Sequence, residues 1–307
     1  MPTSLTKLTF LLLTFSLFSV GAAAQQPVLW EKANVSERNT YWGAGGQAMK
    51  PNLSRIKFIK REKGGNNLKY RIEDGSGRIW VAKIADESQP EVVANRLLWA
   101  IGYMTEIDYL VPQLTIPSKK TYKNVRLEAR PANVNRDGRW DWKANPFIAT
   151  RQLQGLKIMM ALINNWDLKN DNTAILEVGG KRHYVVSDLG SSFGRVSPTS
   201  TFFLTRFGRS VNKPKHYSNA TFVKGVTDQG ELDLAYNGKQ AHLMNGLTPD
   251  DARWIAGLLN QLSTQQIREA FRAANYSPAE IALLSAAVKN RIAELAAVGS
   301  NTYEARR

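Results

Sequence analysis

Two short stretches of this chain bring together residue types that handle phosphate and metal. In Asn164-Asn165-Trp166-Asp167-Leu168-Lys169-Asn170-Asp171-Asn172, Asp167 stands five residues before Asn172 with Lys169 between them. Ser187-Asp188-Leu189-Gly190 follows after two strand-like runs. A carboxylate and an amide oxygen are hard ligands suited to Mg²⁺ (or Mn²⁺), which keeps several waters and bridges phosphates. Asp188 and Asn172 supply that pair. Asp167 is placed to orient or deprotonate an attacking hydroxyl. Lys169 is placed to hold a transferred phosphate and Lys83 the inner phosphates. Phosphoryl transfer asks for such a set: positioned phosphates, cations that offset their charge, and an acceptor held in line. Taken singly, each residue has a plainer reading. Asp and Asn favour turns, and an Asp before Leu-Gly can simply end a strand.

The elements around these residues decide whether they meet. Thr150 to Asn164 carries Leu153, Leu156, Met160 and Ile163 on one helical face, and Met159 and Leu162 widen it. Thr173 to Val178 and Lys181 to Ser187 read as strands joined by Gly179-Gly180, a two-residue hairpin turn. That turn sets a register in which 178 opposes 181, 175 opposes 184 and 172 opposes 187. With strands ~4.8 Å apart, the Asn172 amide and the Asp188 carboxylate come within reach of one cation.

Upstream, Arg55 to Glu62, Leu68 to Glu73 and Arg78 to Ala85 read as a three-stranded antiparallel meander, punctuated by Lys63-Gly64-Gly65-Asn66-Asn67 and Asp74-Gly75-Ser76-Gly77. The backbone N–H groups at Gly64 and Gly65 are candidates to cover phosphates. Taken alone, that turn reads as a plain hairpin connection. Lys83 sits inside Ile79-Trp80-Val81-Ala82-Lys83-Ile84-Ala85, where a lysine must snorkel, lose its proton or meet an anion; beside a phosphate site, meeting an anion is the favoured reading. A helix from Ser88-Gln89-Pro90-Glu91 to about Tyr103 follows. Glu91 has two open roles there: capping box with Ser88, or partner of Lys83.

Tyr109 to Pro117 and Asn124 to Ala129 read as two further strands, and Asn133 to Pro146 as a connector packed down by Trp140 and Trp142. Three capped helices close the chain, beginning near Thr248, Ser263 and Ser277.

These residues carry a resemblance. Asp167-Leu168-Lys169-x-x-Asn172 resembles the catalytic loop D-L-K-x-x-N of protein kinases. Asp188-Leu189-Gly190 is similar to their D-F-G, and Val81-Ala82-Lys83 to the lysine strand V-A-I-K. The resemblance covers roughly residues 55 to 195, in the family's order. There are departures. Asn165-Trp166 replaces the usual His-Arg, the first turn lacks G-x-G-x-x-G, no Ala-Pro-Glu follows, and Glu91 comes only eight residues after Lys83. The chain therefore resembles an atypical protein-kinase-like protein, of the secretory-pathway, spore-coat or phosphoinositide type. The resemblance implies Asp167 as catalytic base, Asn172 and Asp188 as metal ligands, Lys83 with Glu91 as the phosphate-positioning pair, and ATP as co-substrate.

Bulk properties frame the partners. The chain has 307 residues, 43% hydrophobic and 22% charged, with a net charge of +15, enough for a substantial core. Such a surface favours anionic partners. The basic residues are dispersed without an aromatic stacking platform, so nucleic acid ranks low as a partner. His183, His216 and His242 lack ligand spacing, and the absence of cysteine excludes thiol nucleophiles, disulfides and lipobox attachment. Lys7, the run Leu8 to Val20 and Gly21-Ala22-Ala23-Ala24 predict an export signal cleaved after Ala24. No later segment approaches the ~20 apolar residues of a spanning helix, so the mature chain is expected to be periplasmic or secreted.

The expectation is an α+β, two-lobed kinase-like fold: a signal peptide at 1–24, an irregular lead-in at 25–50, a β-rich lobe at 51–145 and a mainly helical lobe at 146–307. The expected activity is transfer of the ATP γ-phosphate to a hydroxyl of a protein, glycan or lipid. The competing expectation is an inactive pseudokinase serving as a binding module.

Overall fold

In a computed structural model, residues 25–65, 67–196 and 208–298 are described. The expected export signal and Asn66 lie outside them.

The first lobe is a five-stranded antiparallel sheet in the order β2-β3-β4-β6-β5, built from β2 (Lys57–Arg61), β3 (Leu68–Glu73), β4 (Ile79–Ile84), β5 (Asp108–Thr115) and β6 (Thr121–Ala129), with helix α1 (Ser88–Ala100) between β4 and β5. The expected meander is β2-β3-β4. Alternation along a strand sends successive side chains to opposite faces. Trp80 and Ala82 join Ile72, Val125 and Leu127 in one apolar cluster. Lys83 points the other way, level with Lys69 on β3 and Arg126 on β6. The β3–β4 turn is organised by Asp74, whose carboxylate accepts from the Ser76 and Arg78 amides and from Trp80 Nε1.

Helix α1 stops at Ala100, short of the expected Tyr103, for a local reason. Gly102 (φ +103°) turns the chain left-handed, and the amides of Gly102 and Tyr103 bond back to Trp99 O and Leu98 O, a Schellman closure. The lead-in docks on this turn: Glu31 N donates to Gly102 O, and a Cβ at Gly102 would lie 2.2 Å from Glu31 O. Of the two roles left open for Glu91, the capping box with Ser88 does not form. Ser88 Oγ donates to Lys83 O instead, because the helix already begins at Ser88, one residue earlier than a cap there requires.

The lead-in is more ordered than its composition suggested. β1 (Gln26–Val28) pairs in parallel with a strand more than 150 residues later, and Trp42 and Met49 pack on the apolar face of the large sheet. Three residues are too few to show a period, so this strand left no signal.

β7 (Asn135–Arg136) belongs to the stretch read as a connector, ahead of the expected lobe division, but pairs with β8 (Thr173–Val178) in the sheet of the second lobe. β9 (Lys181–Val186) completes a sheet in the order β1-β9-β8-β7. The hairpin register is Val178↔Lys181 and Ile175↔Tyr184, and Gly179 and Gly180 both have positive φ (+55° and +77°), as a type I′ turn demands. Trp140 and Trp142 are buried against each other beneath it. Helix α2 (Arg151–Leu162) is capped by Thr150, whose hydroxyl accepts from Leu153 N.

Between β9 and the terminal helices lie α3 (Pro214–Ser218) and a ribbon of β10 (Val223–Val226) and β11 (Leu232–Leu234). Helices α4 (Pro249–Leu259), α5 (Thr264–Ala273) and α6 (Pro278–Val298) follow, and full capping boxes form at Thr248/Asp251 and Ser263/Gln266. One large core runs from α1 through α2 to α4, α5 and α6. No described helix is long and apolar enough to cross a membrane.

Candidate active site

The site grows from a row of three cations. Lys69, Lys83 and Arg126 sit opposite one another on β3, β4 and β6. Cross-strand neighbours share a face, so three positive groups crowd one row and must be met by anions. Glu91 on α1 answers from behind: its Oε2 lies 3.0 Å from Lys83 Nζ, and its Oε1 lies 2.6 Å from Arg126 Nη1 as an ion pair. Glu91 is therefore the partner of Lys83, not a cap. Asp188 reaches Lys83 from the second lobe at 3.2 Å, and Glu87 reaches it at 2.9 Å. Lys83 is 1% exposed, so its ammonium is held almost entirely by these three carboxylates.

Charge and burial compete throughout. Burial pushes Lys83 down, but Glu91 and Asp188 reverse this and hold it above the ordinary lysine value. Complete burial raises Glu91 to about 7 against the pull of Arg126 and Lys83. Burial works to raise Asp188, yet Lys83, Arg126 and the Gly190 N–H outweigh it and keep Asp188 a carboxylate. Lys69 is pushed down by burial and by Lys83.

The hairpin delivers the second half of the site. Asn172 O accepts from both Ser187 N (2.8 Å) and Asp188 N (3.3 Å), so the two candidate metal ligands are adjacent as the register implied. Asn172 Nδ2 donates to Asp167 O (2.8 Å) and Asp167 Oδ2 (3.1 Å). With its nitrogen so engaged, the amide offers its oxygen to a cation. The Lys83 and Gly190 contacts of Asp188 both fall on Oδ1, which leaves Oδ2. One carboxylate oxygen and one amide oxygen fit a Mg²⁺ (or Mn²⁺) that takes its remaining ligands from phosphates and water. Among the described residues no three His, Cys, Asp or Glu side chains form a cage of their own.

Asp167 is fixed by its surroundings. Burial works to raise it, but Lys239, Lys169 and Asn172 together hold it below the ordinary carboxylate value. Lys169 lies 3.0 Å from its Oδ2 and Lys239 ion-pairs with its Oδ1. Lys169 thus faces the carboxylate of its own loop. The turn at Gly64 and Gly65 has positive φ at both residues (+103° and +70°), and a Cβ on Gly65 would lie 3.5 Å from Lys69 Nζ. It is tied down by Asn67, whose Nδ2 donates to Glu87 Oε2 at 2.5 Å.

Four contributors escaped the sequence reading: Lys69, Glu87, Arg126 and Lys239. Lys69 and Arg126 were recoverable in part, since a register through the Asp74–Gly77 turn puts Lys69 opposite Lys83. Lys239 was not, because it arrives from a segment with no periodicity; its amide donates to Trp166 O at 2.7 Å.

No protein-family model and no curated protein sequence matches the chain. A solved structure is similar to it: the crystal structure of the Helicobacter pylori proinflammatory kinase CtkA aligns with a TM-score of 0.52 at 11% sequence identity, covering 83% of this chain and 98% of that one. With its β-sheet lobe, its helical lobe and this alignment over most of both chains, the protein has the two-lobed protein-kinase-like fold.

Proposed function

We propose that the protein is an exported phosphotransferase that uses ATP and Mg²⁺ (or Mn²⁺) to phosphorylate a hydroxyl of a protein, glycan or lipid. The observation that carries this reading is the meeting of Lys83, Glu91 and Asp188 across two lobes, with Asn172 and Asp167 adjoining. A loose group has no need of a fully buried lysine shared by three carboxylates. In this reading Lys83 and Lys69 bind phosphate oxygens, and Glu91 holds Lys83 in place. Asp188 and Asn172 hold the metal, which neutralises phosphate charge when bound. Asp167 accepts the hydrogen bond of the incoming hydroxyl, with its own proton kept off by Lys239 and Lys169. Gly64 and Gly65 close over the phosphates. The +15 charge favours an anionic acceptor or surface.

The lobe division near residue 145 and export after Ala24 belong to the same proposal. Nucleotide titration with and without Mg²⁺, followed by transfer from labelled ATP with Asp167→Ala as control, tests it. A second reading, an inactive binding module, draws on the closure of Asp167 between two lysines and on the scarcity of ATP outside the cytoplasm. Mg²⁺-dependent binding without transfer decides for it.

A further inference from the structure

Both oxygens of Asp167 are already taken. Oδ2 accepts from Asn172 Nδ2 at 3.1 Å and lies 3.0 Å from Lys169 Nζ. Oδ1 is buried and ion-paired with Lys239. A hydroxyl that is to reach this carboxylate must therefore move a lysine aside. Moving Lys169 still leaves Asn172 on Oδ2, whereas Oδ1 is held by Lys239 alone. The backbone of Lys239 is fixed, since its amide donates to Trp166 O at 2.7 Å. Its side chain is 47% exposed, and a flexible four-carbon stem lets the ammonium swing.

Charge decides what can draw it away. A neutral hydroxyl that takes its place breaks a charge-assisted contact and gives the ammonium nothing in return, a loss of about tenfold in affinity. An anion on the same acceptor gives the ammonium a new partner. A second cation stands ready beside it. Arg209 and Lys239 flank one indole, 5.6 and 5.9 Å from the centroid of the Trp166 ring. Arg209 Nη2 donates to Asn237 O, and among the described residues no carboxylate pairs with its guanidinium. Two cations, one of them with the planar fork that suits phosphate, match a doubly charged phosphate monoester. A single carboxylate would leave one of them unanswered.

We infer, on the phosphotransferase reading, that the acceptor is a small polyol or sugar that already carries a phosphate monoester, and that Lys239 and Arg209 bind this phosphate. Lys239 is then a cap on the base that such an acceptor lifts and a neutral one does not. With the cap lifted, Asp167 Oδ1 receives the hydroxyl while Lys169 and Asn172 stay on Oδ2. The acceptor oxygen bonds to the γ-phosphorus as the bond to the β–γ bridging oxygen breaks, the hydroxyl proton passes to Asp167, and ADP leaves.

Glycerol 3-phosphate and glycerol are matched probes, hydroxyl compounds with and without the monoester. Calorimetric titration reads their binding without any transfer. Glycerol 3-phosphate is expected to bind saturably and at least tenfold more tightly than glycerol, and to lose about tenfold in Lys239→Met and in Arg209→Met, each judged folded by its melting curve. In a crystal soaked with it, phosphate oxygens are expected about 2.7–2.9 Å from Lys239 Nζ and from an Arg209 nitrogen. With ATP and Mg²⁺, the wild type is expected to favour glycerol 3-phosphate at least tenfold in kcat/KM. Lys239→Met is expected to shrink that preference and to raise transfer to glycerol, because nothing then caps Asp167; a lysine with a merely structural role would not raise it. Equal binding of the two probes, unaltered affinity in folded Lys239→Met, phosphate density only under the Gly64–Gly65 turn, or glycerol phosphorylated as well as glycerol 3-phosphate overturns the inference. The last of these leaves the phosphotransferase reading standing. Binding of glycerol 3-phosphate through Lys239 with transfer to neither probe sinks that reading and keeps the anion site.

Discussion

Replacing Lys83 by Met exposes how the site is held together. The side chain is nearly isosteric, so the change removes charge more than volume. It leaves Glu91, buried at 1% exposure, without one of its two cations. Breaking a buried pair by removing one partner costs about 3–5 kcal/mol. Two features moderate this. Arg126 stays 2.6 Å from Glu91, and Asp188 and Glu87, with side chains 34% and 24% exposed, turn to water. The expected loss is therefore about 2–3 kcal/mol, or a melting midpoint lowered by roughly 3–5 °C in a chain of this size. The cost also depends on pH, because Glu91 escapes by taking up a proton: the loss is larger at pH 8 than at pH 6. Adding Glu91→Gln removes the stranded charge and is expected to restore at least half of the stability, giving a non-additive cycle. Calorimetry of the wild type, both single variants and the double variant at the two pH values reads this directly. A midpoint unchanged by Lys83→Met, or strictly additive effects, refutes the claim that Glu91 and Lys83 depend on one another.

Three further expectations follow from the same geometry. Glu91 titrates near pH 7 in the nucleotide-free protein. A carboxyl raised on folding contributes full stability below its unfolded value of 4.5 and loses it as pH rises through about 7; carboxyl NMR checks this by a titration absent in Glu91→Gln. Glu87 competes with any phosphate for Lys83 at 2.9 Å, so Glu87→Gln is expected to tighten ATP-analogue binding several-fold by calorimetric titration, and weaker binding would speak against that competition. Asp167→Ala is expected to abolish labelled phosphate transfer while changing nucleotide affinity less than about threefold, since Asp167 contacts Asn172, Lys169 and Lys239 and none of the Lys83 cluster; undiminished transfer would remove it as the base.

The parts of this molecule legible in the sequence are those governed by local rules. The Gly179-Gly180 turn dictated a register, and the register placed Asn172 beside Asp188. The three terminal helices declared themselves through their caps, because an acceptor and an acid or Gln three residues apart are chemistry of one turn. Glu91 was ambiguous because spacing fits both a cap and an ion pair; only the start of α1 at Ser88 decided it. What stayed hidden was long-range. β1 crosses the whole chain to reach β9, and β7 is two residues long and pairs outside its own neighbourhood. Lys239 meets Asp167 through a segment whose path is set by packing under Trp166, where Gly238 passes so close that a Cβ would lie 2.9 Å from the Trp166 Cα. The Glu106–Arg136–Glu128–Arg126 line likewise joins residues from β5's approach, β6 and β7, and no single window of sequence contains it.

In the proposed phosphotransfer, Asp188 and Asn172 hold a metal that fixes a nucleotide against Lys83. Titration of a non-hydrolysable ATP analogue into the protein, with Mg²⁺ and with chelator, tests it most directly. Binding is expected to be saturable, and to weaken at least tenfold without Mg²⁺ and to the same extent in Asp188→Ala. Binding of equal strength with and without the metal, or unaltered by Asp188→Ala, would contradict it.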